Sequence, residues 1–299
     1  KMVDLAELQL NGKTFTSDSG LVYAVKKILG GGGEADVYLV ERADNGQRYA
    51  AKQFVERGGW SVPFEVRFEA ERDFLTQISQ ANNGQGIAGV VHLHDSSERD
   101  RVIVMSYAGE SNLEQALIKR ARLADQRKRE GVVEPIEAVV IIGSVTSTLA
   151  SLLRQLEIAH SDTKPENILL SASAGRYFEQ GHGYSRTRLQ KIIQPNLAQL
   201  ADFSLARKGG VSEVHTSGIR CFSLLGTSIY IAPEIIKLKG GHPTSDVYSL
   251  GIAAYVMLQP KESEFLEIGQ EELLRLMRNG GIPKLKDGVR KSRLGEVGG

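Results

Sequence analysis

Short alternating runs of apolar residues dominate the first hundred positions of the chain. Residues 5–10 and 21–25 alternate in this way on either side of a turn-like TSDSG segment. Two further strand candidates, residues 89–95 and 101–109, are short apolar runs separated by a charged turn. Alternation with a period of two is typical of strands. The pattern therefore predicts strands at these four places.

Two other stretches have the spacing of helices. Phe64, Phe68, Leu75 and Ile78 recur at helical intervals, which predicts a helix over residues 64–78. Residues 138–156 form a longer apolar stretch that predicts a second helix, and a third is predicted near residues 271–278.

Length and charge limit the classes of protein that need to be considered. At 299 residues the chain exceeds the usual single-domain size and suits a two-lobed enzyme with its site in the cleft. Its 37 Lys and Arg residues nearly balance 36 Asp and Glu residues. Because no net field favours nucleic acid or an anionic membrane, any charged partner must bind locally.

Cysteine content and hydropathy leave the compartment open. The single cysteine, Cys221, cannot form an internal disulfide, which suits a reducing compartment without establishing one. We find no signal-peptide core and no run of roughly 18 apolar residues, so we expect no membrane span. Because the chain begins with Lys1 rather than Met, we expect an excised piece from which targeting signals can have been removed.

The stretch His-Ser-Asp-Thr-Lys-Pro-Glu-Asn, residues 160–167, has the residues that phosphoryl transfer requires. Asp162 can orient an attacking hydroxyl, Lys164 can neutralise the charge of the moving phosphoryl group, and Asn167 can bind a magnesium ion. This stretch closely resembles the catalytic loop of eukaryotic-type protein kinases in its Ser/Thr form. The resemblance implies an α+β fold with two lobes, a small β-rich lobe at 1–107 and a larger, mainly helical lobe at 108–299.

The same resemblance implies further site residues downstream. Asp202, in LADFSLAR, matches the aspartate that binds magnesium together with Asn167. Thr227, in GTSIYIAPE, matches the threonine that contacts the catalytic aspartate and lysine. The activation segment would span residues 202–234. Asp246 matches the residue that anchors the backbone of the catalytic loop, although an aspartate before an apolar run is also typical of a helix N-cap.

A glycine-rich stretch precedes a strand-like segment with a lysine. Gly30, Gly32 and Val37 resemble the kinase loop whose backbone N–H groups approach nucleotide phosphates, with Ala35 replacing the third glycine. Lys52 follows Val37 by fifteen residues, as in the family pattern, and would bind the α and β phosphates of ATP.

A glutamate on the predicted helix 64–78 should pair with Lys52. The spacing favours Glu71, nineteen residues after Lys52, while Glu65 and Glu69 are alternatives that would otherwise lie on a solvated helix face.

The family pattern also implies an adenine site. Met105 matches the gatekeeper position, and residues 106–108 match the hinge whose backbone would bind adenine. The cofactor-binding positions are Met105, Ser106, Ala108, Ala50 and Leu169.

Two features between the lobes leave alternatives open. Asn112 matches a ribose-contact position but is equally suited to capping a helix that begins at Leu113. The basic run 119–130 could form a patch that binds nucleic acid or lipid, but its composition favours a solvated helix end or loop. No aromatic residue lies within the run, so we expect no nucleic-acid partner.

The chain departs from the family pattern after the catalytic loop. Asp202 follows Asn167 by 35 residues, where about a dozen are usual in the family. We interpret the excess, about residues 171–193, as an inserted polar loop and a candidate docking surface for a regulatory partner. Shortening it to a tight turn should then preserve folding. A second departure is the C-terminal end, where 48 residues follow Gly251. Arg290 and Arg293 are the candidate partners of Glu234.

These motifs predict an ATP- and magnesium-dependent serine/threonine protein kinase that acts on a protein substrate. The alternative is a pseudokinase that binds nucleotide as a scaffold, suggested by Ala35, Ser161, Thr163 and Ser204 at supporting positions. A small-molecule kinase is a third, weaker candidate. Ser161 replaces the arginine that receives an activation-loop phosphate in many kinases, so we expect activity that is constitutive or controlled by a partner.

Overall fold

A six-stranded antiparallel sheet forms the first lobe. The computed structural model describes residues 13–32, 34–56, 63–126, 133–180, 185–208, 230–232 and 243–258. The sheet has the order β1-β2-β3-β4-β6-β5. Its strands are β1 (Thr14–Thr16), β2 (Val22–Gly31), β3 (Ala35–Arg42), β4 (Arg48–Phe54), β5 (Leu93–Ser97) and β6 (Val102–Ser106).

The two faces of the sheet belong to different clusters of buried residues. In β4, Ala50 and Phe54 pack in the main core, whereas Tyr49 and Ala51 pack with Tyr23 on the opposite face. This division follows from the period of two along a strand. The same alternation places Lys52 on the face of Ala50 and Phe54.

Helix α1 (Phe64–Gly84) covers the face of the sheet to which Lys52 belongs. Phe68, Glu71, Leu75 and Ile78 share its buried side because residues three, four and seven apart lie on one face of a helix. Glu71 is therefore placed among apolar side chains by helical periodicity alone. The backbone leaves helical geometry near the C-terminal end, at residues 81–83.

The second part of the described chain is mainly helical. Its helices are α2 (Leu113–Gln126), α3 (Pro135–Leu156), α4 (Ala172–Glu179), α5 (Arg186–Ile192) and α6 (Pro243–Leu258). Its strands pair as β7 (Ile158–Ala159) with β10 (Arg207–Lys208) and β8 (Ile168–Leu170) with β9 (Ala198–Leu200). The two-lobed α+β architecture implied by the resemblance is confirmed.

Helix α3 corrects one expectation from the sequence. Its 22 residues include a window with a mean hydropathy of 1.9, so by length and composition it could cross a membrane. We had expected no such stretch. The helix packs against α6, β7, β9 and α1, and core helices of soluble proteins pass the same test. By itself α3 is therefore weak evidence for a membrane span.

The interpretation of residues 171–193 as a polar loop is wrong. The segment forms α4 and α5, and Phe178, Leu189 and Ile192 lie in the main core. The serines at 171 and 185 cap these helices, accepting hydrogen bonds from the N–H groups of the residues three positions later. Leu189 and Ile192, three residues apart, were the pattern in the sequence that could have predicted α5. Because the segment contributes to the core, shortening it to a tight turn should now destabilise the fold.

Several predicted features lie outside the described residues. They are the strand at 5–10, the helix at 271–278, the hydroxyl residues of the predicted activation segment (Ser212, Thr216, Ser217 and Ser223), and the residues Thr227, Glu234, Arg290 and Arg293.

Candidate active site

A cleft lies between the sheet and the helical lobe. Apolar side chains from both lobes line it: Leu29, Val37, Ala50, Met105 and Leu169. Charged and amide groups from Lys52, Asn167 and Asp202 also line it. This combination of apolar and polar groups suits a ligand with a flat apolar ring and a charged tail.

The predicted hinge contributes to the cleft in part. Ala108 lines it. Ser106 lies at the end of β6, where its N–H donates to the carbonyl of His92 (2.8 Å) and its hydroxyl oxygen accepts from the N–H of His92 (2.9 Å). The backbone N–H of Ser106 is therefore engaged within the sheet, which leaves the residues after it to contact a ligand.

The glycine-rich segment joins β2 to β3 over the cleft. Gly30 pairs with Val37 across the two strands, and both line the cleft. The N–H of Gly32 donates to the carbonyl of Ala35 (3.0 Å), which connects the residue after β2 to the first residue of β3. A Cβ atom on Gly31 would lie 2.6 Å from Asp36 Oδ1, so a larger residue at this position would require the Asp36 side chain to move. Ala35, which replaces the third glycine, begins β3.

Lys52 forms a buried ion pair with Glu71, as the spacing predicted. Its Nζ lies 2.6 Å from Glu71 Oε2 and 3.0 Å from Asp202 Oδ1. Glu69, one of the alternatives, is exposed. Burial disfavours the charge on Lys52, but the carboxylates of Asp202 and Glu71 outweigh this effect and raise the pKa of Lys52 above its ordinary value. The lysine therefore stays protonated in the cleft.

The two carboxylates beside Lys52 differ in acidity. Burial raises the pKa of Glu71 to about 7, although Lys52 acts in the opposite direction. For Asp202, burial is outweighed by Lys52 and by the Ser204 hydroxyl, and its pKa lies well below the usual range. Asp202 is therefore the carboxylate that remains charged at neutral pH.

The three residues Asp202, Phe203 and Ser204, which follow β9, each make a contact that holds the segment in place. Asp202 has φ of +67°, in the left-handed region, and accepts a hydrogen bond from the Ser204 hydroxyl at 2.7 Å. The Phe203 ring packs 4.7 Å from that of His160, and its N–H donates to Glu71 Oε1 (3.3 Å). Ser204, at the usual glycine position, thus contributes a contact to Asp202.

Asp246 anchors the loop at 160–167. Its carboxylate accepts hydrogen bonds from the N–H groups of His160 and Ser161, both at 2.8 Å, and from the hydroxyl of Thr163 at 2.9 Å. Asp246 does not also serve as the N-cap expected from the sequence, because α6 begins at Pro243 and Asp246 lies within its first turn. Thr163, one of the unusual residues, is therefore part of the anchor.

Asp162 lies between a cation and an amide. Lys164 Nζ lies 2.7 Å from Asp162 Oδ2, and Asn167 Nδ2 donates to the same oxygen (2.8 Å) and to the Asp162 carbonyl (2.9 Å). Burial raises the pKa of Asp162, while Lys164 opposes this effect. Because the amide nitrogen of Asn167 is used in this way, its Oδ1 is the atom that the side chain can offer to a cation.

These residues fit a magnesium-nucleotide. A carboxylate of Asp202 and an amide oxygen of Asn167 are hard oxygen ligands of the kind that Mg²⁺ prefers, and they line the same cleft as Lys52. Asn112 also lines the cleft, but its Oδ1 accepts from the N–H of Gln115 at 2.8 Å. The helix-cap interpretation of Asn112 is therefore confirmed.

A family model described as the protein kinase domain matches residues 23–285. The chain belongs to this family. Serine/threonine-protein kinase PknJ of Mycobacterium tuberculosis is 29% identical over 236 residues, which cover 79% of this chain and 33% of PknJ. The probable serine/threonine-protein kinase fhkD of Dictyostelium discoideum is 28% identical over 258 residues, covering 82% of this chain and 29% of fhkD. The chain thus spans about a third of the length of these curated relatives.

Two features of this kinase domain were missed in the sequence. Glu34, in the glycine-rich segment, reaches Lys52 and Arg67. Ser111 lines the cleft, and its hydroxyl donates to Glu179 of α4, so the insertion contacts the rim of the cleft. No sequence pattern indicated either contact, because each one joins segments that are distant along the chain.

Proposed function

We propose that this chain is an ATP- and magnesium-dependent serine/threonine protein kinase. The observation that supports it best is that two groups of charged and amide side chains reach one cleft, which Lys52, Asn167 and Asp202 line. One group is Lys52 with Glu71 and Asp202, and the other is Asp162 with Lys164 and Asn167. The relatives named as serine/threonine-protein kinases support the choice of a protein hydroxyl as acceptor.

We assign each residue a role that its surroundings support. Lys52 would bind nucleotide phosphates, and Asp202 and Asn167 would bind Mg²⁺, which when present neutralises the charge on those phosphates. Asp162 would orient the acceptor hydroxyl and accept its proton, a role that its raised pKa favours. Lys164 would offset the charge of the group being transferred. Thr227, proposed to contact Asp162 and Lys164, lies outside the described residues.

The insertion at 171–193 is proposed as the contact surface for a regulatory partner. Its exposed side presents basic side chains, from Arg176, Arg186, Arg188 and Lys191. An acidic surface on the partner would complement them.

Transfer of labelled phosphate from ATP to a generic protein substrate and to the chain itself tests the proposal. Asp202→Asn and Asp162→Asn should each lower the rate by a hundredfold or more, or about 3 kcal/mol of transition-state stabilisation. Asp202→Asn should also weaken magnesium-dependent nucleotide binding, whereas Asp162→Asn should leave binding nearly intact. Full activity of Asp162→Asn would contradict the assignment. Nucleotide binding without transfer by the unaltered protein would support the pseudokinase alternative.

A further inference from the structure

Glu34 is the first residue with a side chain after the four glycines at 30–33, and its side chain turns inward under the glycine-rich segment. Its Oε1 lies 3.6 Å from Lys52 Nζ, and its Oε2 lies 3.4 Å from the guanidinium of Arg67. The Glu34 side chain is only 15% exposed. A carboxylate is therefore present beside the lysine that is proposed to bind nucleotide phosphates.

The contacts of Glu34 are weaker than those of the neighbouring carboxylates. Glu71 and Asp202 already bind Lys52 at 2.6 and 3.0 Å, and the carboxylate oxygens of Glu34, Glu71 and Asp202 lie within 4.8 Å of one another. The buried Oε1 of Glu34 has no hydrogen-bond donor among the described residues. Of the three carboxylates, Glu34 is thus the one that an incoming anion can displace at least cost.

A nucleotide bound in the cleft would bring its phosphates to Lys52, which lines the cleft. Like charges that are placed side by side in a partly buried site repel one another, so the Glu34 carboxylate and a phosphate chain at Lys52 would each weaken the binding of the other. We infer that Glu34, held between Lys52 and Arg67, competes with the nucleotide phosphates for Lys52, and that it sets the affinity of the cleft for phosphorylated over unphosphorylated adenosine. The inference rests on the proposed nucleotide site.

Calorimetric titration with adenosine, Mg-ADP and Mg-ATP tests this role without measuring activity. Glu34→Gln retains the shape of the side chain and removes its charge. We expect this variant to bind Mg-ADP and Mg-ATP more tightly, on the order of tenfold, with adenosine affinity unchanged because adenosine has no phosphate. Glu34→Ala should change the affinities in the same direction. Glu41→Gln is the matched control, because Glu41 on β3 pairs with Lys26 on β2 (2.9 Å) and with Arg48 (3.3 Å) rather than with Lys52.

The outcomes separate this inference from the proposed function. If the unaltered protein binds Mg-ATP and Glu34→Gln binds it equally or more weakly, the competition is refuted while the nucleotide site stands. If Glu34→Gln strengthens adenosine binding by the same factor, the effect does not depend on phosphate and the inference also fails. If neither protein binds any of the three ligands, both proposals are overturned.

Discussion

Replacing Phe178 with alanine tests whether the insertion is part of the core. Phe178 lies on α4 and is fully buried. Its ring packs 5.1 Å from that of Tyr177, and the Arg120 guanidinium lies 5.5 Å from its centre. Arg120 in turn binds Glu137 of α3 (2.8 Å), which accepts a hydrogen bond from the Tyr177 hydroxyl at 2.7 Å. The ring therefore packs beside a buried network that connects α2, α3 and α4.

The expected loss of stability can be estimated from burial. Truncating a fully buried phenylalanine to alanine removes its apolar surface from the core and leaves a cavity, at a cost of about 3–5 kcal/mol. For a chain of this size the entropy of unfolding is about 0.6 kcal/mol per degree, so a loss of about 4 kcal/mol corresponds to a melting temperature about 6 °C lower. A residue on a solvated loop would change it by only about 1 °C.

Thermal unfolding monitored by circular dichroism compares Phe178→Ala with Arg176→Ala. Arg176 lies on the same helix and is exposed, so its replacement is the control for changes in helix propensity. Equal melting temperatures for the two variants would refute the reasoning, because α4 would then contribute nothing to the core.

Two further predictions concern charge. Because the pKa of Glu71 is raised from 4.5 to about 7, the folded state retains a proton that the unfolded state loses between these values. The unaltered protein should therefore lose about 3 kcal/mol of stability relative to Glu71→Gln as pH rises from about 4.5 to 7. Urea unfolding at several pH values measures this difference, and parallel curves would contradict it. Because Ser161 cannot receive a phosphate as arginine can, phosphatase treatment should change the transfer rate by less than about threefold. Inactive dephosphorylated protein beside an active phosphorylated form would disprove that expectation.

The sequence by itself determined those parts of the site that depend on local periodicity. Alternation along β4 places Lys52 on the inner face with Ala50 and Phe54, and helical spacing places Glu71 in line with Phe68 and Leu75. The two side chains then meet because their elements pack against each other. Such patterns can be read from sequence, since they depend only on residues a few positions apart.

Only the tertiary structure decided the remaining features. The helices α4 and α5 have eight and seven residues, and helices this short are stabilised by packing rather than by intrinsic propensity, so a polar, glycine-containing segment gave no clear sign of them. Whether Asp246 caps a helix as well as anchoring the loop at 160–167 depended on where α6 begins. The inward turn of Glu34 depended on two cations, Lys52 and Arg67, that lie 18 and 33 residues further along the chain. Contacts of this kind are properties of the packed chain, because distant segments meet only when the lobes assemble.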